Sequence, residues 1–183
     1  WDNTIRKVLK RYNLHGARHV NPEKFLDKRV ADVREMLGRV LTTKLAPCDF
    51  SLNQISRAQR LDEMEFYYPV ENIDRQELEK LFYKHYAGTE NEAFIYDLDK
   101  LNYQMENGFF NGSIDLSFQH DQRFYILDWK SNHLGNSPEK YDSSSIKNAV
   151  REHFYFLQYH IYTLALHLYL EKYLADYDYD THF

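Results

Sequence analysis

The chain has 183 residues, 43% hydrophobic and 28% charged, with six Gly, four Pro and a net charge of −5. These values exclude collagen-like, low-complexity and disordered classes, and the single Cys48 excludes a disulfide framework or a cysteine zinc site. The acidic balance, 23 basic against 28 acidic residues, speaks against an autonomous DNA-binding module.

Asn21-Pro22-Glu23 reads as a helix start, with Asn as N-cap, Pro at the first helical position and an acid in the first turn. Phe25, Val30, Val33, Met36, Leu37, Val40 and Leu41 recur at helical spacing up to about Leu45, and Ala46-Pro47 ends the run. Arg60 to Val70 alternates, with Met64, Phe66 and Tyr68 on one face and Glu63, Glu65 and Tyr67 on the other, which predicts a strand closed by Pro69. An amphipathic helix is predicted over Ile73–Tyr86, ended by Gly88. Residues 90–111 show no clear period and hold at most a short strand near Leu101–Met105. Gly112–Lys130 reads strand, turn, strand, and Ile146–Leu174 reads as one long helix rich in aromatics. No uncharged apolar run is long enough to cross a membrane. The start, Trp1-Asp2-Asn3-Thr4, shows no secretory pattern, so a cytoplasmic address is expected.

With Asp121-Gln122 at the centre of the turn, the hairpin pairs Leu116 with Leu127, Phe118 with Tyr125 and Ile114 with Trp129 on an apolar face. Asp115 then falls opposite Asp128, with Ser113 opposite Lys130. A slip of one residue would divide the apolar side chains between the two faces, so the pattern itself favours this register. Directly opposed Cβ atoms lie roughly 4.5–5.5 Å apart, and like charges at that distance destabilise a sheet. Lys130, two residues beyond Asp128, projects from the same face. Two acids and an ammonium on one face suit metal-assisted phosphodiester cleavage, because Mg²⁺ takes one or two carboxylates and keeps several waters. The same pattern would also arise from a surface Asp128–Lys130 ion pair beside an incidental Asp115.

Gly112-Ser113-Ile114-Asp115 and Asp128-Trp129-Lys130 resemble the G-x-x-D and D-x-K signature of the PD-(D/E)XK nuclease superfamily. Leu157-Gln158-Tyr159-His160-Ile161-Tyr162 resembles the Q-x-x-x-Y helix of one branch, the C-terminal nuclease domains of the RecB family. Asp62–Pro69 and Ala175–Tyr179 resemble its flanking segments. The resemblance implies an α/β fold with a central mixed β-sheet flanked by helices and a restriction-endonuclease-like core. Within a single nuclease domain, residues 1–58 would form a mainly helical part and 59–183 the core.

It further implies Asp115, Asp128 and the Trp129 carbonyl as Mg²⁺ ligands, Lys130 as the catalytic lysine, and Gln158 and Tyr162 as active-site support. Glu63 matches an acidic position in some members. A His on an upstream helix, before the stretch resembling Trp1–Tyr12, would complete the metal site, and a further strand would follow Phe183. The chain is therefore expected to be an excised piece of a larger helicase–nuclease polypeptide, weakly active or inactive alone. Its expected partners are DNA, as single strands from an unwound duplex, and RecC-like and RecD-like subunits. The chain has no P-loop signature, so ATP-driven unwinding would belong to the rest of the polypeptide. The implied activity is metal-dependent exodeoxyribonuclease action in DNA repair and recombination. The alternative is an inactive nuclease fold that grips DNA or docks a subunit.

Tyr155 and Tyr162, near Gln158, are the best of the late tyrosines for base stacking. His120, His133, His153 and His160 read as ordinary histidines rather than replacement ligands. Asp176, Asp178 and Asp180 lack the Gly and closing Glu of a calcium loop.

Overall fold

The computed structural model describes residues 1–16, 18–46, 48–70, 74–101 and 108–183. The chain divides into two compact units, Trp1–Ala58 and Gln59–Phe183.

The first unit is a helix pair, α1 (Asp2–Arg11) and α2 (Pro22–Thr42). Asn21 caps α2 as its pattern predicts: the side chain accepts from the Lys24 N–H at 3.1 Å, and Pro22 takes the first position. Ile5 and Leu9 of α1 pack against Leu26 and Val30 of α2, each apolar at helical spacing. The helix stops at Thr42, short of the expected Leu45, because Lys44 leaves it to bridge to Ser51 and the Leu45 N–H turns to the Phe50 carbonyl. Pro47, the expected stop, lies outside the described residues.

The second unit is built on an antiparallel sheet of three strands in the order β1 (Arg60–Val70), β2 (Gly108–His120), β3 (Arg123–Leu127). Helices α3 (Arg75–Tyr86), α4 (Ala93–Leu98), α5 (Ser143–Glu152), α6 (Tyr155–Tyr173) and the short α7 (Tyr179–His182) accompany it. The expected α/β class, a sheet flanked by helices, is present, and its described pairings are all antiparallel. The β2–β3 register is the expected one, Leu116 with Leu127, Phe118 with Tyr125 and His120 with Arg123. Asp121 and Gln122 both have positive φ, 48° and 66°, the geometry of a primed two-residue turn that matches strand twist. Ile114, Leu116 and Phe118 are buried, while Phe124 and Ile126 pack against a cluster of Met64, Ile114, Ala165, Leu166 and Leu170.

Three expectations change. β3 ends at Leu127, so neither Asp128, Trp129 nor Lys130 is a strand residue, and Trp129 is 52% exposed instead of covering Ile114. The single long helix is two helices, because Phe154 adopts a left-handed conformation (φ 54°) between α5 and α6. α4 forms where no period was legible. The proposed strand near Leu101–Met105 falls on residues outside the description, apart from Leu101, which is in no strand, and Ile73 is likewise undescribed.

α6 is apolar on more than one side because it serves two cores. Ala165, Leu166 and Leu170 face the sheet cluster, while Phe156 is fully buried among Phe82, Phe94 and Leu98 of α3 and α4. Its Phe156 ring stacks on Phe94 at 4.5 Å. Beside this second core Asp97, 1% exposed, accepts from Arg151 Nε at 2.6 Å and from Lys100 Nζ at 2.5 Å, tying α4 to α5. Burial pushes its carboxyl up, but the hydrogen bonds from Arg151 and Lys100 prevail and hold it below the ordinary carboxylate range. A depressed folded value means stability that is present above the unfolded pKa, about 3.9, and lost as pH falls through the folded one. Both cations are partly solvated, so Asp97→Asn is expected to cost about 2 kcal/mol at neutral pH. Urea unfolding should show this difference shrinking below about pH 4. A constant difference down to strong acid would contradict it.

Candidate active site

The chemistry-bearing side chains come from the end of the hairpin and the first turns of α6. Where β1 and β2 pair, the ladder runs through Asp62–Leu116 and Met64–Ile114 and skips the position between them, where Glu63 stands across from Asp115. Glu63 there has φ 52°. A left-handed conformation in a non-glycine residue costs roughly 1–3 kcal/mol and recurs at functional sites. Its carboxylate accepts from the Ser113 hydroxyl at 3.1 Å.

Asp115 and Asp128 are not a ladder pair. The Asp115 carboxylate instead accepts the Trp129 backbone N–H at 2.7 Å and draws the chain after β3 toward β2. This bond satisfies a donor that β3 leaves unpaired on ending, and it leaves Asp128 one residue from the atom that Asp115 holds. The register that suggested two neighbouring acids survives, with a side chain replacing the last rung.

Asp128 is the centre of a network. Its side chain is 18% exposed, and Oδ2 forms an ion pair with Lys130 Nζ. Lys130 Nζ also donates to Gln158 Oε1 at 2.6 Å and lies 4.2 Å from the centre of the Tyr155 ring. The Gln158 amide nitrogen donates to the Tyr162 hydroxyl at 2.7 Å and reaches Asp128 Oδ1 at 3.5 Å. The i, i+4 spacing on α6 places Gln158 and Tyr162 side by side. The Tyr155 hydroxyl donates to Asn132 Oδ1 at 3.0 Å, fixing the ring under the ammonium and the loop after Lys130 together.

These groups open on a cleft of about 480 Å³ lined by Asp128, Lys130, Tyr155, Gln158 and Tyr162, with Phe124 and Ile126 forming part of its apolar wall. Tyr159 lines it too, and burial, with a hydrogen bond to Tyr86, pushes its hydroxyl pKa well up. A larger groove of about 770 Å³ runs between α3 and α6, but among the described residues its lining is aliphatic and aromatic with two histidines and no carboxylate. It offers none of this chemistry.

Sequence reasoning singled out Asp115, Asp128, Lys130, Gln158, Tyr162 and Glu63. The structure gathers Asp128, Lys130, Gln158 and Tyr162 in one network, ties Asp115 to it through Trp129, and sets Glu63 across from Asp115. It missed Asn132 and the cation–π contact of Tyr155. The only available signal was that Tyr155 precedes Gln158 by three residues, hence shares its helix face.

Among the described residues no three of His, Cys, Asp and Glu gather as a metal-binding group. The donors that could hold a cation here are the Asp115 and Asp128 carboxylates and the Trp129 carbonyl. They are all hard oxygens, a set that fits Mg²⁺ held by two carboxylates with water completing its shell. His153 stacks on the Tyr155 ring at 5.3 Å, and His160 bonds Tyr86 and the Phe156 carbonyl. Asp178 caps α7 by accepting from the Thr181 N–H at 2.9 Å.

No family model matches the chain. Among curated proteins it is similar to the RecBCD enzyme subunit RecB of Escherichia coli K12, 37% identical over 150 residues, which is 81% of this chain and 12% of that protein. The RecBCD enzyme subunits RecB of two Buchnera aphidicola strains, from Schizaphis graminum and Acyrthosiphon pisum, are 31% and 30% identical over 87% and 99% of the chain. The chain spans 12–14% of the length of these three relatives. A segment whose sequence is shared over most of its length with RecB subunits from separate bacteria belongs to the RecB family.

Proposed function

We propose that this chain is the Mg²⁺-dependent nuclease module of a RecBCD-type helicase–nuclease. It hydrolyses phosphodiester bonds of DNA strands released by unwinding, in double-strand-break repair and recombination, beside RecC-like and RecD-like subunits. The observation that carries this reading is the placement of the Lys130 ammonium between the Asp128 carboxylate, the Gln158 carbonyl and the Tyr155 ring, with Asp115 joined through the Trp129 N–H.

In this reading Asp115, Asp128 and the Trp129 carbonyl hold the cation. When bound, Mg²⁺ lowers the pKa of a coordinated water and stabilises charge on the phosphate. Lys130 supplies a fixed positive charge where negative charge develops in the transition state, preorganised by Gln158 and Tyr155. Tyr162 fixes the Gln158 amide, whose carbonyl then faces the ammonium. Glu63 shapes the strand opposite Asp115. Water adds to phosphorus, one P–O bond breaks, and the departing oxygen takes a proton.

The test is hydrolysis of linear single-stranded DNA by the full-length polypeptide. Mg²⁺ is expected to support cleavage and EDTA to abolish it. Ca²⁺, which accepts looser geometry at the same oxygen ligands, is expected to compete with Mg²⁺ without supporting turnover. Robust hydrolysis with Ca²⁺ alone would contradict the assigned chemistry. No cleavage with Mg²⁺ would leave a non-catalytic domain that grips DNA or docks a subunit.

A further inference from the structure

The net charge of −5 is not spread evenly. The unit Trp1–Ala58 holds twelve Lys and Arg against six Asp and Glu, and the unit Gln59–Phe183 holds eleven against twenty-two. The first is therefore +6 and the second −11. Ion pairing sharpens the contrast. All six acids of the first unit are engaged: Asp2 with Arg34, Glu23 and Asp27 with Arg6, Asp32 with Lys28, Glu35 with Arg39, and Asp49 with Lys44. They occupy five of the twelve cations, so seven exposed cations form no ion pair among the described residues.

Three of the seven, Lys7, Lys10 and Arg11, lie on α1 at i, i+3 and i+4, hence on one face. At 100° per residue that face is opposite Ile5 and Leu9, which α1 buries against α2. The stripe consequently points outward on a helix anchored from behind. The Tyr12 ring, 63% exposed, stands at the end of the stripe with the Arg11 guanidinium 5.8 Å from its centre.

We propose that this face of α1 is a binding surface for the sugar-phosphate backbone of single-stranded DNA. The choice of DNA as the polyanion rests on the nuclease reading. A basic stripe free of ion pairs tracks a phosphate backbone, and an aromatic ring beside it offers a face on which a base stacks whatever its sequence. The second unit, at −11, repels a polyanion at long range. A +6 unit in the same chain supplies the attraction that the cleft lacks.

The test compares the full-length polypeptide with its K7Q/K10Q/R11Q variant for binding a fluorescein-labelled oligo-dT over a range of NaCl concentrations, in EDTA. Binding in EDTA does not depend on hydrolysis, so failure here and failure of the nuclease reading are distinguishable. Each single-strand phosphate contact contributes about 0.7 to the slope of log K against log salt. Loss of three contacts is therefore expected to flatten the slope by about 2. The variant K7R/K10R/R11K should keep the wild-type slope. A benzoylphenylalanine replacing Tyr12 should crosslink to the strand. An unchanged slope in K7Q/K10Q/R11Q together with no crosslink overturns the proposal. So does a loss of binding to anionic phosphatidylserine vesicles with DNA binding intact.

Discussion

Asp128→Ala is expected to reduce DNA hydrolysis by the full-length polypeptide to background while leaving ATP-driven unwinding intact. Asp128 is the residue on which the cleft converges: it carries the ion pair to Lys130 and lies within reach of the Gln158 amide. Removing its carboxylate would take away a hard-oxygen ligand of the proposed metal site and release the ammonium it pairs with. Unwinding should survive because the chain has no P-loop. Lys130→Ala is the companion variant. It is expected to lose roughly 10²–10³-fold in turnover, the usual effect of deleting one preorganised electrostatic group, while still binding Mg²⁺, since an ammonium is no ligand. Gel assays of cleavage beside an unwinding assay check both. Near wild-type hydrolysis by Asp128→Ala would sink the assignment.

Phe156→Ala is expected to be among the most destabilising single changes in the second unit, by about 3–5 kcal/mol. The ring is 0% exposed, stacked on Phe94 and edge-on to Phe82, with Leu98 in the same cluster. The effect should reach the cleft, because Gln158 follows two residues later on the same helix. A urea titration would show the midpoint falling, with cleavage impaired before unfolding is complete. A loss below 1 kcal/mol would mean that α6 is held by the sheet contacts of Ala165, Leu166 and Leu170 alone.

The parts of the fold written in strict periodicity were legible. The alternation on both sides of Asp121-Gln122 sets the register of β2 and β3 because any slip would expose half of Leu116, Phe118, Tyr125 and Leu127. Asn21-Pro22 marks the start of α2 for reasons local to three residues. The misread points lie where tertiary contacts override a continuing pattern. Alternation runs on to Lys130, yet the strand ends at Leu127 because the Asp115 carboxylate captures the Trp129 N–H. Helical spacing runs from Ile146 to Leu174, yet Phe154 turns left-handed without a glycine to announce it. The contact of Lys130 with Tyr155 depends on how α6 approaches the hairpin, which no spacing in either segment encodes. The pairing of Gln158 with Tyr162, by contrast, follows from helical geometry alone.

The measurement that bears most directly on the site is anomalous scattering from Mn²⁺, a stand-in for Mg²⁺ at oxygen ligands, in crystals of the full-length polypeptide. The predicted result is a peak at coordination distance from the Asp115 and Asp128 carboxylates and the Trp129 carbonyl, lost in Asp128→Ala. A peak held by other residues, or Mn²⁺-supported hydrolysis with no peak at these oxygens, would contradict the site.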